Sequence, residues 1–440
     1  MSKAIISANR QYARRNWLSV LVAFGFLKTG THAVAQNQAA AKTPGDAGTA
    51  SALDKLPMEL TLGPLTLHPR ADAGFTADDN ILFTVKPVSD TIWKFQPALQ
   101  MVMGDDAALI AYRDQNASMN VFGLTPGSLI VQPPEAWPGK LLVVDYGPRF
   151  QFYDAHSENN AIDEFAHLSI LWPLSRLILG FQQTYELQQG TIIEASRLGS
   201  TETIATTLAA AYQFGEKTSL ESDFHRIGLN YDQAGLTGYT EYNTEDWLNY
   251  ELTPDMPVSV GVLAGYDEVT GNQNQTYEQL RARLRYIFTQ KLAFDASVGG
   301  ELRQYENGKG DTLSPVFSVA AAYRPAERTT LSLTGYRQLS AANFNGYNYA
   351  STGATLGVHQ GITDRYAADL SVGYSILDYS AVSRNLSSYA DDYYTARLGL
   401  DVKILRHLNG QIYYNLIRIQ SAVGGDRADN QIGVNLTLSY

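Results

Sequence analysis

An alternation of apolar and polar residues at every second position runs through most of this chain and limits its possible folds more than any other feature. It is clearest in the final segment, where every second residue is apolar and the residues between are small or polar. Successive side chains of a β-strand point to opposite faces, so the pattern predicts strands with one apolar and one polar face. The apolar residues of this segment are Ile432, Val434, Leu436, Leu438 and Tyr440.

Two further features separate a membrane barrel from a soluble β-sandwich, whose strands also alternate. Short turns such as 215–217 and 325–327 alternate along the chain with longer polar loops such as 341–348 and 381–391, as at the two rims of an outer-membrane barrel. The polar faces also carry charged residues in mid-strand, which a water-filled lumen accommodates better than a sandwich core. The sequence therefore predicts an all-β fold, a single transmembrane antiparallel up-and-down β-barrel.

About eighteen strands are predicted, and this even number places both termini at the periplasmic rim. The stretch 104–140 leaves sixteen or twenty strands as alternatives, because its section 116–139 contains four prolines that do not fit a central strand. The predicted spans are 65–77, 90–103, 141–153, 163–173, 176–189, 201–214, 217–231, 239–252, 257–269, 275–288, 291–305, 312–324, 328–340, 348–362, 364–379, 391–404, 407–420 and 428–440.

The first 35 residues have the three parts of a secretory signal peptide. Arg14 and Arg15 belong to a basic start, residues 17–27 are apolar, and residues 33–35 form a small-x-small cleavage site. The apolar part is too short to cross a bilayer as a helix, although an uncleaved anchor is the alternative. The expected mature chain has a disordered tether over 36–61, then the barrel over 62–440. The barrel has a periplasmic-side insertion over about 113–140.

The composition argues against several classes of function. A net charge of −11 is unlike the basic footprint of a nucleic-acid-binding protein, so no nucleic-acid partner is expected. The absence of cysteine excludes disulfides, thiolate metal sites and a cysteine nucleophile. The cluster 78–80, Asp-Asp-Asn, has oxygens that suit Ca²⁺, but at a strand end these residues more often cap backbone groups. Neither a metal site nor a cofactor is therefore expected.

No recognisable catalytic motif surrounds the histidines of the mature chain. The nearest local cluster consists of Ser222, Asp223 and His225. On one strand, Ser222 would point away from the other two side chains, which a hydrolytic triad does not allow. The sequence thus indicates that the protein is not an enzyme.

The most distinctive local pattern is a strip of three arginines, Arg281, Arg283 and Arg285, that alternates with apolar residues. Because arginines facing lipid are costly, the strip is expected to line the lumen. If Phe288 pairs with Leu292 across the following turn, Arg285 lies opposite Asp295, and Arg281 and Arg283 are freer to meet a solute. An anion-attracting strip and an ordinary solvated wall are both consistent with this pattern. Further pore-lining candidates are Glu301, Arg303, Arg397, Asp401 and Lys403.

The last strand carries a second possible signal. Tyr440 is aromatic and C-terminal, and the alternating Val434, Leu436 and Leu438 precede it. This arrangement resembles the signal that the barrel-insertion machinery recognises, although an ordinary last strand would look similar. The expected partners are therefore that machinery and outer-membrane lipid. The expected location is the outer membrane of a Gram-negative-type bacterium, after Sec-type secretion.

Several short patterns, in this order along nearly all of the mature chain, resemble the β-barrel porin 2 family of outer-membrane barrels. The resemblance implies a channel of about eighteen strands, an exit route for an exopolysaccharide, and no catalytic residues. It also implies a polysaccharide and periplasmic export components as partners. The insertion over 116–139 departs from the family pattern. The matching patterns lie at 67–69 (LHP), 78–81 (DDNI), 95–99 (FQPAL), 146–148 (YGP) with Tyr153, and 173–177 (PLSRL).

Export of a polysaccharide is accordingly the favoured function. A general or sugar-uptake porin is the first alternative, and a structural or adhesion barrel with a plugged lumen is the second. Tyrosines and polar groups along a lumen suit sugars by stacking and hydrogen bonding, which supports either direction of transport equally.

Overall fold

The chain folds almost entirely into β-strands. A computed structural model describes residues 60–104, 139–193, 195–253, 255–271, 273–289, 291–306, 310–342, 346–381 and 386–439. The signal peptide, nearly all of the tether and most of the insertion lie outside these residues. No helix among the described residues has the length and apolar character needed to cross a membrane.

The described strands are numbered in chain order. They are β1 (Leu60–Leu62), β2 (Leu65–Asp78), β3 (Asp90–Gly104), β4 (Leu141–Tyr146), β5 (Arg149–Tyr153), β6 (Ala161–Pro173), β7 (Leu177–Ile192), β8 (Arg197–Gln213), β9 (Thr218–Tyr231), β10 (Tyr239–Thr253), β11 (Met256–Val269), β12 (Gln275–Thr289), β13 (Leu292–Tyr305), β14 (Thr312–Ala326), β15 (Thr329–Ala341), β16 (Tyr347–Gly361), β17 (Tyr366–Ala381), β18 (Tyr389–Leu405), β19 (Leu408–Ser421) and β20 (Arg427–Ser439).

Each strand pairs antiparallel with its sequence neighbour, and the last strand closes the sheet on the first long one. β2 pairs with β20 from Arg70 opposite Ser439 to Asp78 opposite Gln431. β1 adds a short hairpin to the start of β2. With β4 and β5 counted as one strand, the closed barrel has eighteen antiparallel strands, which confirms the predicted fold.

The third barrel strand is interrupted, which the alternation did not predict. β4 pairs with one half of β3 and β5 with the other half, and Gly147 and Pro148 lie between them. A Cβ at Gly147 would come within 2.9 Å of the Ala98 side chain, so only glycine fits this close approach. Proline adds a break because it has no N–H to donate to the ladder.

The two rims differ in the length of their connections. Short turns, such as 214–217 and 406–407, join strands at the rim where β2 begins and β20 ends. Longer connections, such as 79–89 and 232–238, lie at the opposite rim. In outer-membrane barrels the short turns are periplasmic and the long loops extracellular. Gly104 pairs with Leu141 at the rim that carries the short turns, and the periplasmic position of the insertion stays a prediction.

The outer surface is an apolar belt. Its aliphatic residues alternate with polar lumen-facing residues along the strands, as predicted from the period of two. Exposed aromatic residues such as Tyr212, Tyr250 and Tyr323 lie near the periplasmic ends of their strands. An apolar belt bordered by aromatic residues is the lipid-facing surface of a transmembrane barrel. The belt includes Leu248, Val260, Val262, Leu280, Val298, Leu333, Leu356, Leu398, Ile412 and Ile432.

A pair of neighbouring substitutions tests this assignment of faces. Leu356 on β16 is 53% exposed on the outer surface, whereas Thr355 lies on the lumen face. Leu356→Arg is expected to lower the free energy of unfolding by about 2–4 kcal/mol if the residue lies near the bilayer midplane, because the guanidinium must enter lipid. Thr355→Arg, the matched control, should lower the free energy of unfolding much less, because its guanidinium enters the aqueous lumen. Guanidinium titration in phospholipid vesicles measures both, and equal losses would contradict the assignment.

Candidate functional site

The arginine strip lies on the lumen face of β12 with the register predicted from the sequence. Arg285 pairs with Asp295 and Arg283 with Ser297 across the β12–β13 ladder. The Arg285 Nε atom is 2.9 Å from Asp295 Oδ2, so the predicted ion pair is present. The turn itself differs from the prediction: Leu292 pairs with Thr289 rather than Phe288, because the ladder shifts register between residues 287 and 289.

The prediction that Arg281 and Arg283 are freer to meet a solute is wrong. Arg281 forms an ion pair with Glu245 on β10, and Arg283 Nη2 lies 2.9 Å from Glu221 Oε2 on β9. These carboxylates are two and three strands away around the barrel, beyond the single hairpin register on which the prediction rested. The strip therefore belongs to a neutralised network on the wall.

Trp247 packs beneath this network. The guanidinium carbons of Arg283 and Arg281 lie 4.3 and 5.1 Å from the indole centroid. The indole nitrogen donates a hydrogen bond of 2.7 Å to Glu245, and the side chain is 2% exposed. Cation–π contact and ion pairing together hold the two arginines flat against the wall.

Arg303 on β13 and its neighbour Glu301 are the most deeply buried of the predicted pore-lining residues. Arg303 is 2% exposed, and its Nη1 atom lies 3.0 Å from Asp267 Oδ2. Its Nε atom lies 2.6 Å from Glu301 Oε1, and its guanidinium is 4.5 Å from the ring of Tyr277. Both Arg303 and Glu301 are thus parts of a buried ion cluster in the wall.

The remaining predicted residues lie on the lumen face of β18. Arg397 Nη2 is 3.3 Å from Gln411 Oε1, and its guanidinium lies 5.4 Å from the ring of Tyr413. The amide of Gln411 in turn donates to Asp401 at 2.8 Å. Lys403 is exposed near the periplasmic rim. These side chains form a second and more accessible polar group along the lumen.

Carboxylates outnumber basic groups among the described strand residues on the lumen face, even when His68, His167, His225 and His359 are counted as cations. The acidic residues are Asp72, Asp78, Asp90, Asp145, Asp163, Glu186, Glu221, Asp223, Glu241, Glu245, Glu251, Asp267, Asp295, Glu301, Asp369, Asp391, Asp401 and Asp429. The basic residues are Arg70, Lys94, Arg149, Arg197, Arg281, Arg283, Arg285, Arg303, Arg324, Arg397, Lys403 and Arg427.

The wall formed by β14 to β17 has a different character. Its lumen-facing residues are mostly small or bear a hydroxyl group, and so leave more space than the ion network on β9 to β13. They include Ser318, Ser332, Thr334, Gly353, Thr355, Ser371 and Gly373. An eighteen-strand barrel is wide enough to hold an aqueous channel. A passage along these strands would be lined mainly with uncharged hydrogen-bonding groups, in addition to Arg324 and the His359–Asp369 pair.

Residues 79–89, here called the mouth loop, fold inward at the extracellular rim. Ile81 and Phe83 are each 1% exposed, although both belong to a connection between strands. Phe83 packs in one apolar cluster with Ile193, after β7, and Ile419 of β19. Ile81 packs with Ile92 of β3 and Tyr153 of β5. The loop therefore links sides of the barrel that are far apart in strand order.

Asn80 holds the mouth loop in this position. Its side-chain amide donates to the carbonyl oxygens of Thr84 and Ala428, each at 2.8 Å, and its Oδ1 accepts from the Thr84 amide. Phe83 adopts a left-handed backbone conformation with φ of 52°. For a bulky residue this conformation costs about 1–3 kcal/mol and persists only where surrounding contacts impose it. The loop is thus strained as well as packed.

The end of the β15–β16 hairpin also leans over the lumen. The side-chain amide of Asn348 donates at 2.8 Å to Gln275 on β12, four strands away. Ala341 packs with Leu229 of β9 and Tyr239 of β10. This hairpin end and the mouth loop approach the extracellular opening from different sides. Their apolar contacts narrow it, which the alternation pattern alone did not reveal.

The acidic cluster after β2 has the capping role predicted from the sequence. Asp78 Oδ1 accepts from the Asn80 backbone amide at 2.8 Å. Asp79 accepts from the backbone and side-chain amides of Asn430, each at 2.7 Å. Asp429 lies beside both aspartates. Backbone and amide contacts thus explain the positions of Asp78 and Asp79.

The side chains of Ser222, Asp223 and His225 on β9 point to the faces that the alternation predicts. His225 Nδ1 lies 3.0 Å from Thr207 Oγ1, and Asp223 shares the lumen face with His225. Ser222, between them, belongs to the opposite face.

The candidate insertion signal lies on the outer face of β20. Leu436 and Leu438 are 41% and 38% exposed, and Val434 shares their face. Tyr440 lies outside the described residues. The described part of the signal faces the membrane, and its recognition by the insertion machinery stays a prediction.

Sequence reasoning missed the mouth loop. A signal for it was available, because Ile81, Leu82 and Phe83 form an apolar run inside a connection between strands. Such a run indicates a loop that packs on itself or into a cavity rather than one that faces water.

Comparison with known proteins gives fold similarity at low sequence identity. Two similar solved structures are OccAB2 of Acinetobacter baumannii (9% identity, 86% of this chain and 99% of that chain, TM-score 0.45) and OccK1 of Pseudomonas aeruginosa (11%, 86% and 99%, TM-score 0.45). The siderophore receptor PirA of Pseudomonas aeruginosa matches with 10% identity, 85% and 80% coverage and a TM-score of 0.41. No family model and no curated protein matches the sequence, so membership of the β-barrel porin 2 family stays a prediction.

The buried cluster around Arg303 yields a stability test. Arg303→Met leaves Glu301 and Asp267 buried without their cation, so the free energy of unfolding should fall by about 3–5 kcal/mol. The matched control is Arg328→Met, because Arg328 pairs with Asp364 at the exposed periplasmic rim. Loss of this exposed ion pair should lower the free energy of unfolding only slightly. Denaturant titration in vesicles compares the two variants, and similar losses would show that the Arg303 cluster does not stabilise the barrel.

Proposed function

We propose that this protein is an outer-membrane channel that is closed at its extracellular mouth at rest and serves as an exit route for a secreted polysaccharide. The observation that carries the proposal is the inward-folded mouth loop, whose buried Ile81 and Phe83 link distant strands. A conduit for a cargo that passes only when it is being secreted needs such a closure, because an open pore of this width would leak small solutes.

The lumen supports a polar, uncharged cargo. The arginine strip is occupied by Glu221, Glu245 and Asp295, so it is not available to select anions. The hydroxyl-bearing wall of β14 to β17 offers mainly uncharged hydrogen-bonding groups. A neutral saccharide can exchange its hydration for such contacts, as solutes do in other selective pores. Periplasmic export components would then deliver the polymer to the periplasmic rim.

A closed mouth also favours export over the two alternative functions, an uptake porin and a structural or adhesion barrel. A general or sugar-uptake porin works with a mouth open to the medium, which the packed mouth loop does not favour. A structural or adhesion barrel is consistent with a closed mouth. However, it gives no reason for a loop held in a strained conformation, with φ of 52° at Phe83. A strained element is suited to two states.

Single-channel conductance in a planar bilayer tests the proposal. The mature protein should show no stable open level, because the mouth loop closes the channel in the proposed resting state. A variant with Ile81, Leu82 and Phe83 each changed to serine should open stable channels. The control is Val85→Ser, since Val85 lies in the same loop but is 61% exposed. Stable channels in the unmodified protein would favour a diffusive porin, and silence in all forms would favour a structural barrel.

The excess of lumen carboxylates predicts the ion selectivity of the opened triple variant. In a KCl gradient its reversal potential should indicate a preference for K⁺, because field lines in a lumen follow the uncompensated charge. Glu245→Gln should weaken this preference. A preference for Cl⁻ would show that the arginine strip dominates the lumen despite its ion pairs.

A further inference from the structure

A dense aromatic patch lies on the lumen face of β16 to β18 at the extracellular end. The rings of Tyr379 and Tyr389 are stacked, with centroids 4.6 Å apart. The Tyr347 ring meets Tyr389 edge-on at 5.5 Å and Tyr379 at 6.4 Å. Tyr349 lies 5.6 Å from Tyr379, and Tyr393 belongs to the same cluster. So many tyrosines on one short stretch of wall form a broad stacking surface.

Buried charged residues border this aromatic surface. Asp391 lies between Tyr389 and Tyr393 on β18, and Arg427 and Asp429 lie at the start of β20, two strands away. Asp391, Arg427 and Asp429 are 5%, 7% and 6% exposed. Together with the five tyrosines they are called the mouth patch.

Two of these three charged side chains have an atom without a hydrogen-bond partner among the described residues. The atoms are Asp391 Oδ1 and Arg427 Nε, whereas the Asp429 carboxyl group interacts with Asp78. Other atoms of the same groups are engaged: Arg427 Nη1 donates to the Ile193 carbonyl at 3.3 Å and to Ser196, and Asp429 Oδ2 accepts from Gln431 at 2.8 Å. Buried polar atoms are rarely left unpaired, because their desolvation is uncompensated. The mouth patch therefore has hydrogen-bonding capacity to spare.

Phe83 of the mouth loop covers this patch. It packs in the same cluster as Tyr349, Tyr379 and Tyr393, and the guanidinium of Arg427 lies 5.6 Å from its ring. Its left-handed φ of 52° means that the loop bends unfavourably to place the ring there. Phe83 thus places a flat six-membered ring in the same apolar cluster as the tyrosines, beside a guanidinium whose hydrogen bonds it cannot satisfy.

We propose that the mouth patch is a saccharide-binding subsite and that Phe83 occupies the position of a sugar ring while the channel is closed. A pyranose ring has an apolar C–H face that stacks on aromatic rings and hydroxyl groups that bond to carboxylates and guanidinium. Phe83 supplies apolar contact with this cluster but no hydrogen bond from its side chain. An apolar site with a few convergent polar groups is typical of a small-molecule pocket.

The inference rests on the proposed function, in that the saccharide is part of the exported polymer. It adds that the cargo itself opens the mouth. Because the sugar ring and Phe83 compete for one position, saccharide binding shifts the mouth loop toward its displaced state. In the closed protein, only a small fraction of molecules has the patch free of Phe83. The apparent affinity for saccharide is therefore lower than the affinity of the free patch, in proportion to that fraction.

Isothermal titration calorimetry of the full mature chain in nanodiscs tests the subsite. The probes are maltohexaose, cellohexaose and chitohexaose, which differ in linkage and in the 2-substituent. Phe83→Ala should bind at least one of them about tenfold more tightly than the unmodified chain, because the competitor is removed. In the Phe83→Ala background, Tyr393→Ala and Asp391→Asn should each weaken that binding by roughly tenfold.

The two residues next to these on β18 are matched controls. Tyr394 and Asp392 have the same side chains but face outward, where Tyr394 contacts Tyr374 and Asp392 accepts a hydrogen bond from Tyr374. Tyr394→Ala and Asp392→Asn should leave saccharide binding unchanged. Heat-dependent gel mobility checks that every variant is folded. Equal losses in the inward and outward variants would overturn the subsite, and so would a Phe83→Ala variant that binds none of the three probes.

Conductance of the same variants separates this inference from the proposed function. If the opened channel conducts but binds no saccharide, the subsite is wrong and the channel function stands. If the Phe83→Ala protein binds saccharide through Tyr393 and Asp391 but no variant conducts, the subsite stands and the channel function is wrong. Binding with conductance that rises on addition of saccharide to the unmodified chain supports both.

Discussion

Backbone hydrogen bonding in a medium without water governs this structure. A strand that crosses lipid must pair on both of its edges, because an unpaired N–H or C=O group has no solvent partner there. The pairing of β2 with β20 removes the last two free edges and turns an open sheet into a barrel. The strict alternation of side chains, the apolar belt and the enclosed lumen all follow from that closure, because every strand residue must then face either lipid or the interior.

Inside the barrel, charge is arranged by pairing across several strands. Arg281 and Arg283 reach Glu245 and Glu221 over intervening strands, and Arg303 is enclosed by Glu301 and Asp267. Low-dielectric surroundings make such pairs strong and make an unpaired member costly. A strip that looks like an anion filter in the sequence is therefore a neutral wall, and the uncompensated carboxylates elsewhere set the field. The hydroxyl-bearing strands β14 to β17 are left as the less obstructed side.

At the extracellular mouth, the burial of apolar side chains and the strain of the backbone oppose each other. Ile81 and Phe83 gain apolar contacts by turning inward, and Asn80 supplies the hydrogen bonds that the loop backbone and its neighbours need. The unfavourable backbone of Phe83 opposes that gain. A closure that carries such strain can be displaced by a competitor with better contacts. The proposed saccharide satisfies both the aromatic surface and the charged groups that Phe83 leaves unpaired.

The sequence by itself determined the positions of most strands, their faces, a count of about eighteen and the ion pair of Arg285 with Asp295, because these depend on alternation and on hairpins that join neighbouring segments. It also located the inward positions of Arg397 and Asp401 on β18. Only the tertiary structure decided the partners of Arg281 and Arg283, the burial of Arg303 and the place of Phe83. Those contacts join residues from strands that are not neighbours, and their geometry depends on the curvature of the closed barrel, which no local pattern of side chains encodes.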